Sequence, residues 1–198
     1  MKVTPLRIVL AAMAAGALGI VASLALNGPG PLLGTEAGQR MLNDALVAAT
    51  PTPEGVAVAR RGQPLSAIQL AALDGDPIHL PGDFAGRPLL VNVWASWCGP
   101  CLKEMPELDR YAREQGEGGV QVLGLALDEP EAVRDFLRRI PVAYPIAIDA
   151  PGPADAGVRL GNPRGVLPYT VLVAADGRLL KQKIGPFEEG EIDGWAVP

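Results

Sequence analysis

Histidine and cysteine are scarce in this chain: its 198 residues hold one His, His79, and two Cys. A structural zinc site takes about four such ligands, so no metal is expected. Basic blocks are missing too. Lys and Arg number 17 against 22 Asp and Glu, a formal net charge of −5. No run interleaves basic and aromatic residues, which argues against nucleic acid as a partner. There is no internal repeat and no low-complexity tract. The 24 Gly and 20 Pro are scattered without a period, which speaks against a fibre and for many turns. The length suits one domain with a sizeable core and some additional sequence.

The two cysteines are near neighbours, in Cys98-Gly99-Pro100-Cys101. A disulfide between them closes a very short loop. Cross-links stabilise mainly by restricting the unfolded chain, and the gain grows with loop length. This pair is therefore a poor staple, and in an exported chain its disulfide is better explained as chemistry. Such chemistry needs no cofactor beyond the redox-active disulfide itself.

One long apolar run is present. Lys2 and Arg7 precede an uncharged stretch from Ile8 to Leu26. A spanning helix needs about 20 apolar residues, with roughly 17 as the lower limit, and the run just qualifies. The basic flank comes first, so the positive-inside rule puts the N-terminus in the cytoplasm and the remainder outside. Two readings lead, ahead of a buried helix of a soluble protein: an uncleaved anchor over residues 1–26, or a signal peptide cut after Ala25, where Ser23 and Ala25 satisfy the small-x-small rule. No Cys near this end is available to carry a lipid. Either reading places the body where disulfides persist.

Asn27-Gly28-Pro29-Gly30-Pro31 breaks any helix. Thr35 to Thr50 then predicts a short amphipathic helix, with Met41, Leu42, Ala45, Leu46 and Ala49 at helical spacing. Residues 27–61 are thus a juxtamembrane stalk and linker, and 62–198 the folded domain. Within it, Ile68 to Leu73, the Asp74-Gly75-Asp76 turn and Pro77 to Leu80 predict a hairpin. Leu89 to Trp94 is nearly continuously apolar, as in a strand buried on both faces. Helices are expected over Leu102 to Gln115 and Pro130 to Arg139, the latter with Val133, Phe136, Leu137 and Ile140 on one side. Strands are expected over Val120 to Leu127 and Tyr144 to Ile148. Pro168 to Ala174 and Leu179 to Ile184, joined at Asp176-Gly177, make a closing hairpin. Strands alternating with helices imply an α/β fold, a mixed central sheet flanked by helices.

Trp97-Cys98-Gly99-Pro100-Cys101 follows directly on a buried strand and opens a helix. A helix N-terminus favours negative charge, and in Cys-x-x-Cys motifs the thiol pKa falls from about 8.5 to between roughly 3.5 and 7.5. Cys98 is then the thiolate nucleophile and Cys101, one turn later, the shielded resolving thiol.

The stretch Leu89-Leu90-Val91-Asn92-Val93-Trp94-Ala95-Ser96-Trp97-Cys98-Gly99-Pro100-Cys101-Leu102-Lys103-Glu104-Met105-Pro106 resembles the active site of the membrane-anchored, thioredoxin-like reductases of TlpA/ResA type, including the branch serving cytochrome c maturation. The likeness covers about Gly62 to Pro186. It implies a thioredoxin-like fold with an added N-terminal hairpin, here Asp74-Gly75 and the following strand. It implies an acidic residue behind the cysteines at Glu104, on the helix face of Cys101, to relay a proton or tune the thiols. Asn92 stands where ordinary thioredoxins keep a buried Asp. Pro106 matches a helix-kinking Pro. Val166-Leu167-Pro168-Tyr169-Thr170 matches the cis-Pro loop opposite the cysteines, whose backbone near Leu167 would receive an extended substrate segment by strand addition. Tyr169 departs from the Thr or Glu of many relatives.

Trp97 is expected at the rim beside Cys98, with Gly99 and Pro100. His79 is given no role, Trp195 is assigned to packing, and Asp128-Glu129 and Glu188-Glu189 to solvated charge. By resemblance the function is a periplasmic disulfide reductase on the bacterial inner membrane. It takes electrons from a membrane thiol donor and passes them to protein disulfides of apocytochrome c or copper-site proteins. The same couple could run as an oxidase or isomerase. A peroxidase of this fold wants Thr at Ala95, and copper carriers of this fold use a wider cysteine spacing with a distal His.

Overall fold

The computed structural model describes residues 35–197. The expected anchor over 1–26 and the Asn27–Pro31 break lie outside the described residues. Among the described residues, no helix is long and apolar enough to cross a membrane.

The chain divides into two units, residues 1–42 and 43–198. Helix α1 spans Glu36–Ala48, as the apolar spacing between Thr35 and Thr50 predicts. Its first turn is capped by Thr35, whose hydroxyl accepts the Gly38 N–H at 3.0 Å.

The larger unit is built on seven strands: β1 Ile68–Ala72, β2 Ile78–Leu80, β3 Leu89–Trp94, β4 Gln121–Leu127, β5 Ile146–Asp149, β6 Tyr169–Val173 and β7 Leu179–Ile184. Their order across the sheet is β2-β1-β5-β4-β3-β6-β7. The central β5, β4 and β3 run parallel, and β1 and β6 pair antiparallel on either side of them. Every residue of β3 is buried, because helices and loops cover both faces. Side chains alternate between two cores with the period of two that a strand imposes. Leu90, Trp94, Val122 and Ala126 meet α2 (Gly99–Glu114) and α3 (Pro130–Leu137) on one face. Leu89, Val91, Val93, Leu123 and Leu125 face the other way, toward Leu160 and Tyr169.

Several boundaries differ from expectation. Helix α2 starts at Gly99, not Leu102, with Cys98 as its N-cap. Pro100 fits the first turn, where its missing N–H costs nothing. Pro106 sits inside the same helix and cannot donate to the Leu102 carbonyl. Helix α3 ends at Leu137, leaving Ile140 beyond it and 37% exposed. Strand β5 begins at Ile146, so Tyr144 is a buried loop residue. Two short helices went unforeseen, α4 Ala156–Arg159 and α5 Glu191–Trp195.

Candidate active site

Strand β3 carries the chain out of the core, and a turn follows. The Cys98 N–H donates to the Ala95 carbonyl at 3.1 Å. The chain then enters α2. Cys98 and Cys101 are joined as a disulfide, with Cα atoms 5.3 Å apart. Cys98 Sγ occupies the capping position and accepts the Cys101 N–H at 3.3 Å. An anion there gains from the unpaired N–H groups and the helix dipole. Cys98 keeps 5% exposure and Cys101 none, so Cys98 is the sulfur within reach of a partner. Trp97, 69% exposed, and the exposed Gly99 and Pro100 form the rim.

Glu104 lies one turn beyond Cys101 on the same face of α2 and is 1% exposed. Its Oε1 accepts from Asn92 Nδ2 at 2.8 Å, and its Oε2 from the Phe187 N–H at 2.8 Å. Asn92 Nδ2 also donates to Thr170 Oγ1 at 3.0 Å. Burial pushes the Glu104 carboxyl up to about 7, against the Phe187 N–H, the Asn92 amide and the positive charge of Lys183. Lys183 is itself buried, 2.7 Å from Glu191 and 5.1 Å from the centre of the Phe187 ring. Phe187 packs edge-on against Trp195 with ring centres 5.3 Å apart. The carboxyl behind the cysteines is therefore enclosed by β3, β6, β7 and the segment entering α5. Among the described residues, Asn92 Oδ1, Trp94 Nε1 and the Tyr144 hydroxyl are buried polar atoms without a partner.

The Leu167–Pro168 peptide is cis, and Leu167 packs against the core that holds both cysteines. Leu167 and Trp97 also line a groove of about 300 Å³ with Pro151, Pro153 and Arg164. Tyr169 does not reach this surface. It is fully buried on the other side of the sheet, donating to the Leu160 carbonyl at 3.1 Å and accepting from Gln182 at 2.7 Å. Burial holds its hydroxyl well above the usual tyrosine range. Its neighbour Thr170 faces Asn92 instead, since successive residues of β6 alternate.

The expected site residues thus fall into two groups. Cys98, Cys101 and Glu104 follow one another along the start of α2, while Trp97, Gly99 and Pro100 adjoin Cys98 in the chain and Leu167, at the cis bond to Pro168, packs against the core that holds both sulfurs and shares a groove with Trp97. His79 stands apart on the edge strand β2, 3.4 Å from Asp83. Asp128 is no free solvated charge, for it is half-buried and bonded to Ser96. Phe187, Lys183 and Thr170 were missed. Lys183 reads in sequence as the polar face of a hairpin, and a backbone N–H such as that of Phe187 leaves no signal at all.

The family model for redoxin matches residues 60–195. Thiol-disulfide oxidoreductase ResA of Bacillus thuringiensis (strain Al Hakam) is 32% identical over 126 residues, which cover 62% of this chain and 69% of that protein. Sporulation thiol-disulfide oxidoreductase A of Bacillus subtilis (strain 168) is 25% identical over 147 residues, covering 71% of this chain and 86% of that protein. Among solved structures, the thioredoxin-related protein from Neisseria meningitidis serogroup B is 32% identical with a TM-score of 0.56. That match covers 63% of this chain and 93% of that one.

Proposed function

Since the chain belongs to the redoxin family and is a thiol–disulfide oxidoreductase of ResA-like type, we propose that it is a periplasm-facing reductant of protein disulfides. In this reading residues 1–26 hold it to the bacterial inner membrane, residues 27–61 are the stalk, and 62–198 do the chemistry. The observation that carries the reading is the asymmetry of the disulfide: Cys98 caps α2 beside the exposed Trp97, and Cys101 is sealed in front of a buried carboxyl.

The cycle follows from that asymmetry. The Cys98 thiolate attacks one sulfur of a substrate disulfide, forms a mixed disulfide and expels the first substrate thiolate. Cys101 gives its proton to Glu104 and attacks Cys98 Sγ. That step expels the second substrate thiolate and closes the Cys98–Cys101 disulfide. Two electrons have then passed to the substrate, and a membrane thiol donor restores the dithiol. A carboxyl that titrates near neutrality can both take and return the proton. No cofactor or metal enters. Leu167, on the N-terminal side of the cis bond to Pro168, lines the groove that would seat an extended segment, and apocytochrome c or copper-site thiols are the substrates proposed.

Trapping tests the order of events. The reduced Cys101→Ser chain, offered a disulfide-bonded peptide, should accumulate a covalent adduct at Cys98 that dithiothreitol releases. An adduct that forms instead on Cys101 in the Cys98→Ser chain would overturn the assignment.

A further inference from the structure

Strands β3 and β4 end side by side, with Trp94 opposite Ala126. Two residues further on, the neighbours are Ser96 and Asp128. Asp128 Oδ2 accepts the Ser96 N–H at 2.9 Å and the Ser96 hydroxyl at 2.6 Å, and its Oδ1 accepts the Glu129 N–H at 2.8 Å. Ser96 is the second residue of the turn that the Cys98 N–H closes on the Ala95 carbonyl at 3.1 Å. A carboxylate therefore clamps the turn that presents Cys98, through charge-assisted bonds of the stronger kind. The chained contacts put it within roughly 10 Å of the Cys98 backbone nitrogen, about one Debye length.

We infer that Asp128 is a positioning residue for the exchange reaction, fixing the Ala95–Cys98 turn and holding the Cys98 thiol less acidic than the helix N-terminus alone would make it. The inference rests on Cys98 being the nucleophile. The other groups around this sulfur are accounted for. The N-terminus of α2 favours the thiolate; the other charges these elements carry near it in the chain are Lys103 and Glu104 on α2 and Glu129 just before α3. Across the groove, Asp155 is spent on the Gly152 and Val158 N–H groups and Arg164 on Thr50. Among the described residues, only Asp128 joins a negative charge to the turn itself. Its effect suits a reductant: a more basic thiolate is a stronger nucleophile and a poorer leaving group, so the Cys98–Cys101 disulfide resists reduction.

The test follows alkylation of the reduced full-length chain by iodoacetamide as a function of pH, with the modified cysteine located by mass. Asp128→Asn keeps an oxygen for the Ser96 N–H and removes the charge. It should raise the Cys98 rate near pH 6 by a factor of about three to ten. Asp128→Ser, a second neutral variant, should move it the same way. Ser96→Ala keeps the charge, and its rate at that pH should stay level or fall. A Cys98 curve that neither Asp128 variant shifts overturns the inference alone, as does a rise common to the Asp128 variants and Ser96→Ala, which would mark a merely loosened turn. Alkylation landing first on Cys101 overturns the nucleophile assignment and the inference with it.

Discussion

Glu104 is a buried carboxyl on which pH acts strongly. Its carboxyl titrates near 4.5 in an unfolded chain and near 7 in its buried place. Between those values the folded state holds a proton that the unfolded state has released, so stability falls as pH rises through the window. Below about 4.5 both states are protonated and no penalty exists, and above about 7 the full cost of a buried charge applies. Glu104→Gln should therefore be more stable than the parent above pH 7, by on the order of a few kcal/mol. Its pH dependence between 4.5 and 7 should be flattened. The amide fits, because Asn92 can turn its unpaired Oδ1 toward the new donor. Urea unfolding of the oxidised chain across pH checks this, and parallel curves for the two proteins would contradict it. Glu104 was legible through its spacing from Cys101 and its resemblance to the acid of TlpA/ResA-type reductases. The groups that set its proton affinity were not, since Phe187 and Lys183 reach it from 83 and 79 positions away in sequence, and only folding brings them together. Asp128 looked like surface charge for the same reason.

The elements that carry the cysteines were written plainly. Leu89 to Trp94 and Val120 to Leu127 are apolar apart from Asn92 and Gln121 because both their faces are covered, and they form β3 and β4 within a residue of expectation. The start of α2 was obscured because Gly99-Pro100 reads as a break in sequence and acts as a first turn in the structure. Helices α4 and α5 are too short to display an apolar period; a side-chain cap marks α4, while α5 begins after Gly190 with none. Helix α4 shows what such a cap does. Asp155 Oδ1 accepts the Val158 N–H at 2.9 Å and Oδ2 the Gly152 N–H at 3.0 Å. Asp155→Ala should cost about 1–2 kcal/mol of stability, read as a lower urea midpoint at an unchanged slope. Because Asp155 also lines the groove beside Trp97, the variant should lose rate with a disulfide-bonded protein more than with a small disulfide. Equal losses would detach the groove from substrate seating.

At the scale of the whole molecule, a seven-stranded sheet holds one sulfur near the surface just past the end of its interior strand β3, one sealed sulfur behind it and a proton acceptor one turn further along α2. Each feature suits thiol–disulfide exchange: a capping position for the attacking thiolate, a shielded resolving thiol, and a carboxyl that titrates near neutrality. The central claim is the direction of flow, and the equilibrium reduction potential of the Cys98–Cys101 couple tests it most directly. With the full-length chain poised against a thiol buffer, the account predicts about −250 mV or lower, toward the roughly −270 mV of thioredoxin. A value near about −120 mV, that of a strong periplasmic oxidant, would contradict it and make this site a donor of disulfides instead.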